Sequence, residues 1–532
     1  MKFEIQNLKF KIHALCGIAI FQFFLVLNCL GQISQPARYE KEQKNSSHNF
    51  TIIPMGKQGL ALVHDKQKYE GGNKFWEIVA LDTALQESWT QEIVIENRYN
   101  FIGHDFNNGE LFFLFRLGET ESGSLKIFKI VRESHAVEQH NYEPQVIIRP
   151  THFSVIENEV IFAGYHNSEP AVLLFNLNTD QGRIVPGLFG KSTELLDVRV
   201  NTNNTFNVML YDRSNKINKK IVVRTFDRTG VLLLDDAFEV EDNKTILHGI
   251  TSTLVRDELL IAGTWSEGVN TQAAGIFTAL VDPFTEQKIN FYDFPQLNHF
   301  LDYLSPKAMA KTKAKADRRR TQGKTPEFRV YASAVRLEET KEGFLFLSEA
   351  YHSPTNFNNN RYNPYNSPFY GVTGPYGFGY PYRSNYSPNY YNPYSSPYGN
   401  SSSANQITMV QASLVVFDPK GNLIADHGFK LEEIKTMSSD QISDFANKQG
   451  KISMVFSNEK EINYQVSQID GMPLIKEKVT IQTKDPSESI RSEDGGIVRY
   501  WYDDILYIYG YQTIKDSNEK RDVFFINKIK VD

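Results

Sequence analysis

Residues 159–182 read EVIFAGYHNSEPAVLLFNLNTDQG, and this stretch decides the fold. An apolar run reaches Tyr165 and His166, a polar loop follows, and a second apolar run ends in the turn sequence NTDQG at 178–182. β-Branched and aromatic residues fill both runs, which is typical of strands in a half-buried pleated sheet. The stretch therefore predicts two paired β-strands joined by a short loop.

Eight versions of this paired-strand unit follow one another along the chain. Their starts lie ~50 residues apart outside two enlarged intervals, close to the length of a four-stranded propeller blade. The spacing predicts an all-β protein, a β-propeller of eight four-stranded blades over residues 49–532; a ring of seven blades with one degenerate unit is the alternative. One strand of each unit begins at Leu60, Leu111, Val160, Phe206, Leu259, Phe344, Ile452 and Ile505.

The last unit lacks a strand. It offers Ile497–Trp501, Ile505–Tyr511 and Val523–Val531 before the chain ends. We expect the N-terminal segment 32–48, near Pro36–Lys41, to supply the fourth strand, because this would close the ring and protect an exposed sheet edge. In the fifth unit the four strands are predicted at Ile250–Val255, Leu259–Trp265, Ala274–Val281 and Lys288–Phe294.

Short Asp/Gly sequences recur after the third strand of several units. They are FDRTG at Phe226–Gly230, FDPKG at Phe417–Gly421 and IDGMP at Ile469–Pro473. Asp accepts local backbone hydrogen bonds and Gly adopts positive φ, so both suit tight turns. Repetition at the same place in each unit favours a structural turn over a calcium or sugar site.

Residues 1–31 have the pattern of an export signal. Lys2, Lys9 and Lys11 precede the apolar run Ala14–Leu30, and small residues stand three and one positions before Gln32. An uncleaved membrane anchor and a lipoprotein are the alternatives. Cleavage would remove both cysteines of the chain, Cys16 and Cys29, so the exported protein would hold no disulfide and no cysteine metal site.

Two inserts interrupt the repeat. The first, 295–326, contains SPKAMAKTKAKADRRRTQGK, in which Ala, Lys and Arg favour a helix that begins near Ser305 and Pro306. The second, 352–405, is rich in Tyr, Pro, Asn, Gly and Ser, and we expect it to be disordered because it offers too few aliphatic residues to offset its ordering entropy. The candidate binding residues of the helical insert are Lys307, Lys311, Lys313, Lys315, Arg318, Arg319 and Arg320.

Both inserts are expected on one face of the ring. Strand direction alternates within a blade, so the loop between the second and third strands lies on the same face as the link to the next blade. Functional residues often lie on loops of a rigid scaffold. Lys and Arg attract carboxylate or phosphate, and Tyr rings stack on sugars, so an anionic envelope polysaccharide, lipid phosphates or an acidic protein is the expected partner. A formal net charge of −6 and the predicted export argue against nucleic acid.

No catalytic motif, phosphate-binding glycine loop or metal motif stands out, and no cofactor is predicted. Ser266 comes close to a nucleophile elbow but lacks the first Gly and the strand-to-helix turn. Tyr165, His166, Trp265, Tyr351 and His352 end strands at corresponding positions and are further candidate binding residues. With Asp212 and Glu349 the two His residues would line one face near the channel mouth, although strands that leave a core commonly end in such residues anyway.

The whole pattern, from Asn49 to Asp532, resembles β-propeller repeat proteins, in particular uncharacterised secreted propellers of Bacteroidota. The chain lacks the WD dipeptide, the kelch double glycine and the sialidase aspartate box. The resemblance implies an envelope or extracellular location and brings no catalytic residue across, since this fold serves enzymes and scaffolds alike. We therefore predict a non-enzymatic binding or scaffolding module, and the alternative is a carbohydrate-active hydrolase or lyase that uses carboxylates at the channel mouth.

Overall fold

A computed structural model describes most of the chain. The predicted export signal and all but the first two residues of the tyrosine-rich insert lie outside the described residues. The described ranges are 33–43, 49–118, 123–143, 146–188, 190–215, 217–256, 258–268, 270–282, 287–324, 326–353, 407–436, 441–516 and 519–531.

Strand β1 comes first in the chain but belongs to the last sheet, and strands β2 to β21 form the first five sheets. These strands are β1 Ile33–Glu42, β2 Thr51–Pro54, β3 Leu60–Glu70, β4 Asn73–Leu81, β5 Glu87–Glu96, β6 Tyr99–Asn107, β7 Glu110–Leu117, β8 Leu125–Ile130, β9 Val137–Tyr142, β10 Arg149–Ile156, β11 Glu159–His166, β12 Glu169–Asn176, β13 Gln181–Ile184, β14 Thr193–Val200, β15 Thr205–Asp212, β16 Lys219–Asp227, β17 Leu232–Val240, β18 Lys244–Thr251, β19 Leu259–Glu267, β20 Gly275–Val281 and β21 Ile289–Asp293.

The α-helix α1 and the last three sheets follow. Their elements are α1 Pro306–Thr321, β22 Tyr331–Glu339, β23 Phe344–His352, β24 Ile407–Phe417, β25 Leu423–Thr436, β26 Ser443–Lys448, β27 Lys451–Asn458, β28 Glu461–Gln468, β29 Pro473–Thr480, β30 Ser489–Tyr502, β31 Ile505–Lys515 and β32 Lys520–Val531. Short 3₁₀ turns cover Gly56–Gln58 and Phe294–Gln296.

These strands form eight antiparallel four-stranded sheets, so the prediction of an eight-bladed β-propeller is confirmed. The first strands of neighbouring blades contact one another, for example β6 with β10 and β18 with β22, and therefore line the central axis. Among the described residues the buried apolar side chains form eight clusters. Each cluster takes its residues from two neighbouring blades, so every blade depends on both neighbours for its core.

The N-terminal segment completes the eighth blade. Strand β1 pairs antiparallel with β32, with Tyr39 opposite Ile526. The Arg38 guanidinium donates to the side-chain oxygens of Asn527 and Gln512, each at 2.8 Å, and so ties β1 to two further strands of the blade. The strand missing from the last repeat unit is thus supplied from the other end of the chain.

One predicted strand in the fifth blade is wrong. The first strand was expected at Ile250–Val255 but lies at Lys244–Thr251. A bulge between Ile246 and His248 shifts its pairing with β19. An extra residue in a strand breaks the period-two alternation of apolar side chains, which is the feature by which a strand is found in sequence.

The repeated aspartates do form turns. The Asp227 carboxylate accepts the backbone N–H groups of Thr229 and Val231 at 2.8 and 2.9 Å. Asp418 accepts those of Lys420 and Asn422 in the same way. These bonds hold the pKa of both aspartates below its ordinary value despite partial burial.

A buried ion cluster joins the first strands of three blades. Arg336 in β22 is fully buried, and its guanidinium donates to the Asp444 carboxylate at 2.9 Å and pairs with Glu338. The Phe445 and Tyr500 rings flank the guanidinium, with centroids 4.0 and 4.3 Å from its carbon. Asp444 also accepts the backbone N–H of Tyr500 at 2.8 Å. The cluster therefore holds blades six, seven and eight together at the axis.

Within the described ranges, no helix has both the length and the apolar character needed to cross a bilayer.

Asp444→Asn should destabilise the protein by about 2 kcal/mol, because it removes one of the two carboxylates that face the buried Arg336 cation, leaving only Glu338, and weakens the charge-assisted hydrogen bonds at Asp444. Chemical denaturation followed by circular dichroism measures this change. Asp503→Asn is the matched control, since Asp503 pairs with Lys57 at the surface and its side chain is 59% exposed. Equal stability of both variants would contradict the role given to this cluster.

Candidate functional site

The basic insert is packed into the ring by its apolar residues. Phe300 and Leu301 of the insert are buried in the same cluster as Phe294, which directly precedes the insert, and as residues of blades five and six such as Phe344. The Phe294 and Phe300 rings stack with centroids 3.5 Å apart. The base of the insert is therefore part of the core between two blades and is held at a fixed place on the face it shares with the other blade-to-blade links.

Hydrogen bonds also hold the basic insert on the ring. The Asp426 carboxylate in β25 accepts the backbone N–H groups of Asn298 and His299 at 2.8 and 2.7 Å. Burial raises the pKa of Asp426 above its ordinary value, while these bonds act against the rise. The sequence offered no signal for this anchor, because Asp426 lies more than one hundred residues further along the chain.

Helix α1 begins where the Ser305–Pro306 pair predicts. The Ser305 hydroxyl accepts the backbone N–H of Ala308 at 3.3 Å, which caps the helix. Two arginines near the other end pair with nearby carboxylates: Arg320 with Asp293 at 3.2 Å and Arg319 with Glu327 at 3.0 Å. These two predicted binding residues thus help to fix the helix on the ring.

Four cations point away from the ring. The side chains of Lys307, Lys311, Lys315 and Arg318 are exposed, and their spacing of four, four and three residues places them on one side of the helix. Ala316, on the opposite side, is buried. Within the described part of the chain none of the four has an acidic partner at ion-pair distance, and we call them the cation stripe. Lys313 is half-buried beside it.

The two inserts leave the ring side by side. His352, the last residue of β23, hydrogen-bonds through Nδ1 to the Arg329 carbonyl at 2.9 Å. Its ring also meets the Tyr303 ring of the basic insert edge-on, with centroids 6.2 Å apart. The tyrosine-rich insert therefore starts directly next to the base of the helix. Tyr303 has no distinguishing sequence pattern and was not among the predicted residues.

His166 and His352 hold corresponding positions in their blades. His166 Nδ1 lies 2.6 Å from the Ile147 carbonyl, which precedes β10 as Arg329 precedes β22. Each histidine thus connects the end of the second strand to the segment just before the first strand of the same blade. His352 remains exposed, so it is accessible to a ligand at this face.

The predicted aromatic residues lie in the interior. Tyr165, Trp265 and Tyr351 are each at most 2% exposed. The Tyr165 hydroxyl accepts the backbone N–H of Leu195 at 2.9 Å, which joins blade three to blade four. Tyr351 stacks on Tyr331, and its burial raises its pKa well above the ordinary value. Their role as ligand contacts stays a prediction. Because the side chains are buried, they would have to move to the surface to touch a ligand.

The carboxylates near the axis are occupied by contacts between blades. Asp105 accepts the backbone N–H of Val155 at 2.7 Å, and Asp197 accepts that of Thr251 at 2.9 Å. Ser266 is fully buried and donates its hydroxyl to the Asn270 carbonyl at 2.5 Å. In the described part of the chain, no three His, Cys, Asp or Glu side chains are placed to hold a metal ion.

Glu349 is a fully buried carboxylate at the seam between blades six and seven. It accepts the backbone N–H and the hydroxyl of Ser443 at 2.6 and 2.7 Å, and the backbone N–H of Ile442 at 3.1 Å. Burial raises the pKa of Glu349 to about 7, although these bonds favour the ionised form. Asp212, its predicted companion, instead accepts the backbone N–H of Ser214 in a local turn.

Several solved structures are similar to this chain at low sequence identity. The polysaccharide lyase Uly1 is 11% identical with a TM-score of 0.40, and the alignment covers 91% of this chain and 99% of that chain. The β-propeller domain of the Trilobed protease from Pyrococcus furiosus is 10% identical with a TM-score of 0.34, covering 81% and 93%. A prolyl endopeptidase is 10% identical with a TM-score of 0.35, covering 82% and 50%. No protein-family model and no curated protein sequence matches the chain.

Glu349 should make stability depend on pH. Its pKa is raised from 4.5 to about 7 on folding, so the folded state retains a proton that the unfolded state releases. The free energy of unfolding should therefore fall as the pH rises from 4.5 to about 7 and then level off, with a total change on the order of 3 kcal/mol.

Glu349→Gln should flatten this dependence, since a neutral amide keeps an acceptor oxygen for Ser443. Urea denaturation at several pH values measures the slope for each variant. Glu342→Gln is the control, because Glu342 is exposed in the loop that precedes the same strand. A slope that Glu349→Gln leaves unchanged would assign the pH dependence to other groups.

Proposed function

We propose that the protein is an exported, non-enzymatic binding propeller of the cell envelope that holds an anionic polysaccharide along the cation stripe. The observation that carries the proposal is the stripe itself: Lys307, Lys311, Lys315 and Arg318 are exposed and have no described acidic partner, on a helix packed and ion-paired onto a rigid ring. Export is supported by the pattern of residues 1–31.

The spacing of the cations favours a densely charged polymer. Neighbouring lysines are four residues apart, which is ~6 Å along a helix, and the whole stripe spans ~16 Å. This interval is close to the length of one sugar unit in an extended polysaccharide. A polymer with a charge on every sugar can thus meet each cation in turn, whereas one charged on every second sugar leaves half of them unmatched.

The alternative, a carbohydrate-active hydrolase or lyase, needs carboxylates free to act at the channel mouth. The carboxylates of Asp105, Asp197 and Asp444 each accept a hydrogen bond from a backbone N–H of a neighbouring blade. Glu349 is fully buried and accepts a hydrogen bond from the Ser443 hydroxyl. The described geometry therefore supports the binding function better than the enzymatic one.

Replacing the four stripe residues together with Gln should weaken binding to polygalacturonate about tenfold or more, because the attraction comes from several charge contacts. Affinity is measured by biolayer interferometry at low and at physiological salt, where binding by the wild type should fall as salt rises. The matched control replaces Lys288, Lys341, Lys420 and Lys451 with Gln. These four lysines are exposed on the opposite face, so the control has the same net charge. Equal loss in both variants would refute the stripe as the site.

The wild type should bind polygalacturonate more tightly than hyaluronate, which carries its carboxylate on every second sugar, and should not retain dextran, which is uncharged. The same binding assay, at equal concentrations of sugar units, makes the comparison. Binding of hyaluronate as tight as that of polygalacturonate would show that charge spacing does not select the ligand.

A further inference from the structure

A small cavity opens on the face of the ring opposite the inserts. It lies at the seam between blades one and two, encloses about 190 Å³ and is lined by connections between first and second strands and between third and fourth strands. Those connections emerge on the face away from α1, so this cavity is separate from the cation stripe.

The floor of the cavity is apolar and one wall is aromatic. Met55, Leu111 and Ile130 form the floor and are buried. Trp89 from blade one stacks on His135 from blade two, with centroids 4.6 Å apart and planes 21° apart. A cavity of roughly 150 Å³ lined by apolar side chains is large enough to bind benzene, so this one has room for a six-membered ring with one substituent.

The rim carries a cation. Arg132 and Gln58 are exposed at the edge, and the residues that line the cavity include no Asp or Glu. Asn108 and Gly109 form the tight turn between β6 and β7, both with positive φ. A Cβ on Gly109 would stand 2.6 Å from Arg132 Cδ, so the absence of a side chain there lets Arg132 lie across the turn at the rim. No described acidic side chain pairs with Arg132.

We propose that this cavity is a binding site for a small organic anion, a monocarboxylate on a flat apolar ring. The ring would lie on the floor formed by Met55, Leu111 and Ile130, next to the Trp89–His135 stack. The carboxylate would accept hydrogen bonds from the Arg132 guanidinium and the Gln58 amide, since a guanidinium suits the two oxygens of a carboxylate.

Tryptophan fluorescence can report binding at this site. The chain has four tryptophans. Trp76, Trp265 and Trp501 are at most 8% exposed, whereas Trp89 is half-buried and lines the cavity. Titration with benzoate should change the emission with a Kd of about 1 mM or tighter. Trp89→Phe should abolish this change in emission, while calorimetry should still detect benzoate binding.

Two comparisons test the chemistry of the site. Benzyl alcohol, similar in size but uncharged, should bind about tenfold more weakly than benzoate, and Arg132→Gln should weaken benzoate binding by a similar factor. Arg98→Gln, at an exposed arginine on the other face, should leave benzoate binding unchanged. Glucuronate should bind more weakly than benzoate, because its hydroxyls would lose water on the apolar floor.

Any one of the following results would overturn the proposal: no benzoate binding by fluorescence or calorimetry up to roughly 10 mM, equal binding of benzoate and benzyl alcohol, or unchanged binding in Arg132→Gln. Tighter binding of glucuronate than of benzoate would also overturn it, since the ring would then be polar. Neither Trp89 nor Arg132 lies on the face of the cation stripe, so failure here would leave the polysaccharide proposal to its own test.

Discussion

Pairing of β1 with β32 closes the ring, and the remaining blades depend on that closure. Each apolar cluster lies between two blades, so an open ring would expose the faces of the first and last blades to water. The closure joins chain segments almost five hundred residues apart. It is reinforced where Trp501 of blade eight donates to the Gly59 carbonyl of blade one at 3.0 Å. The N-terminal strand therefore completes the blade that packs against blade one.

The two faces of the closed ring carry different candidate binding sites. On one face, apolar residues of the basic insert enter the core between blades five and six, and ion pairs of Arg319 and Arg320 hold the helix. Deleting the insert would consequently remove part of the core, so substitution of exposed charges is the cleaner way to separate binding from stability. On the other face, the cavity between blades one and two has a different chemistry, with an apolar floor and one cation.

Buried ionisable side chains join neighbouring blades in the described part of the chain. Arg336, Asp444 and Glu349 all bridge neighbouring blades, and each is almost completely buried. Ion pairs in such places are costly to desolvate and strongly destabilising to break. Their effect here is to fix the relative positions of blades six, seven and eight, and the tyrosine-rich insert leaves from blade six.

The sequence by itself determined the β-propeller, the eight repeats and the start of the helix at Ser305, because these follow from local patterns: alternation, turn residues and caps. It failed at β18, where a bulge breaks the alternation. Only the tertiary structure decided which candidate residues face solvent. Seven cations look alike in sequence, yet two are paired with the ring and four form the stripe, while Tyr165, Trp265 and Tyr351 are covered. Exposure depends on contacts with neighbouring blades, and those contacts join residues too far apart in the chain for any local pattern to record.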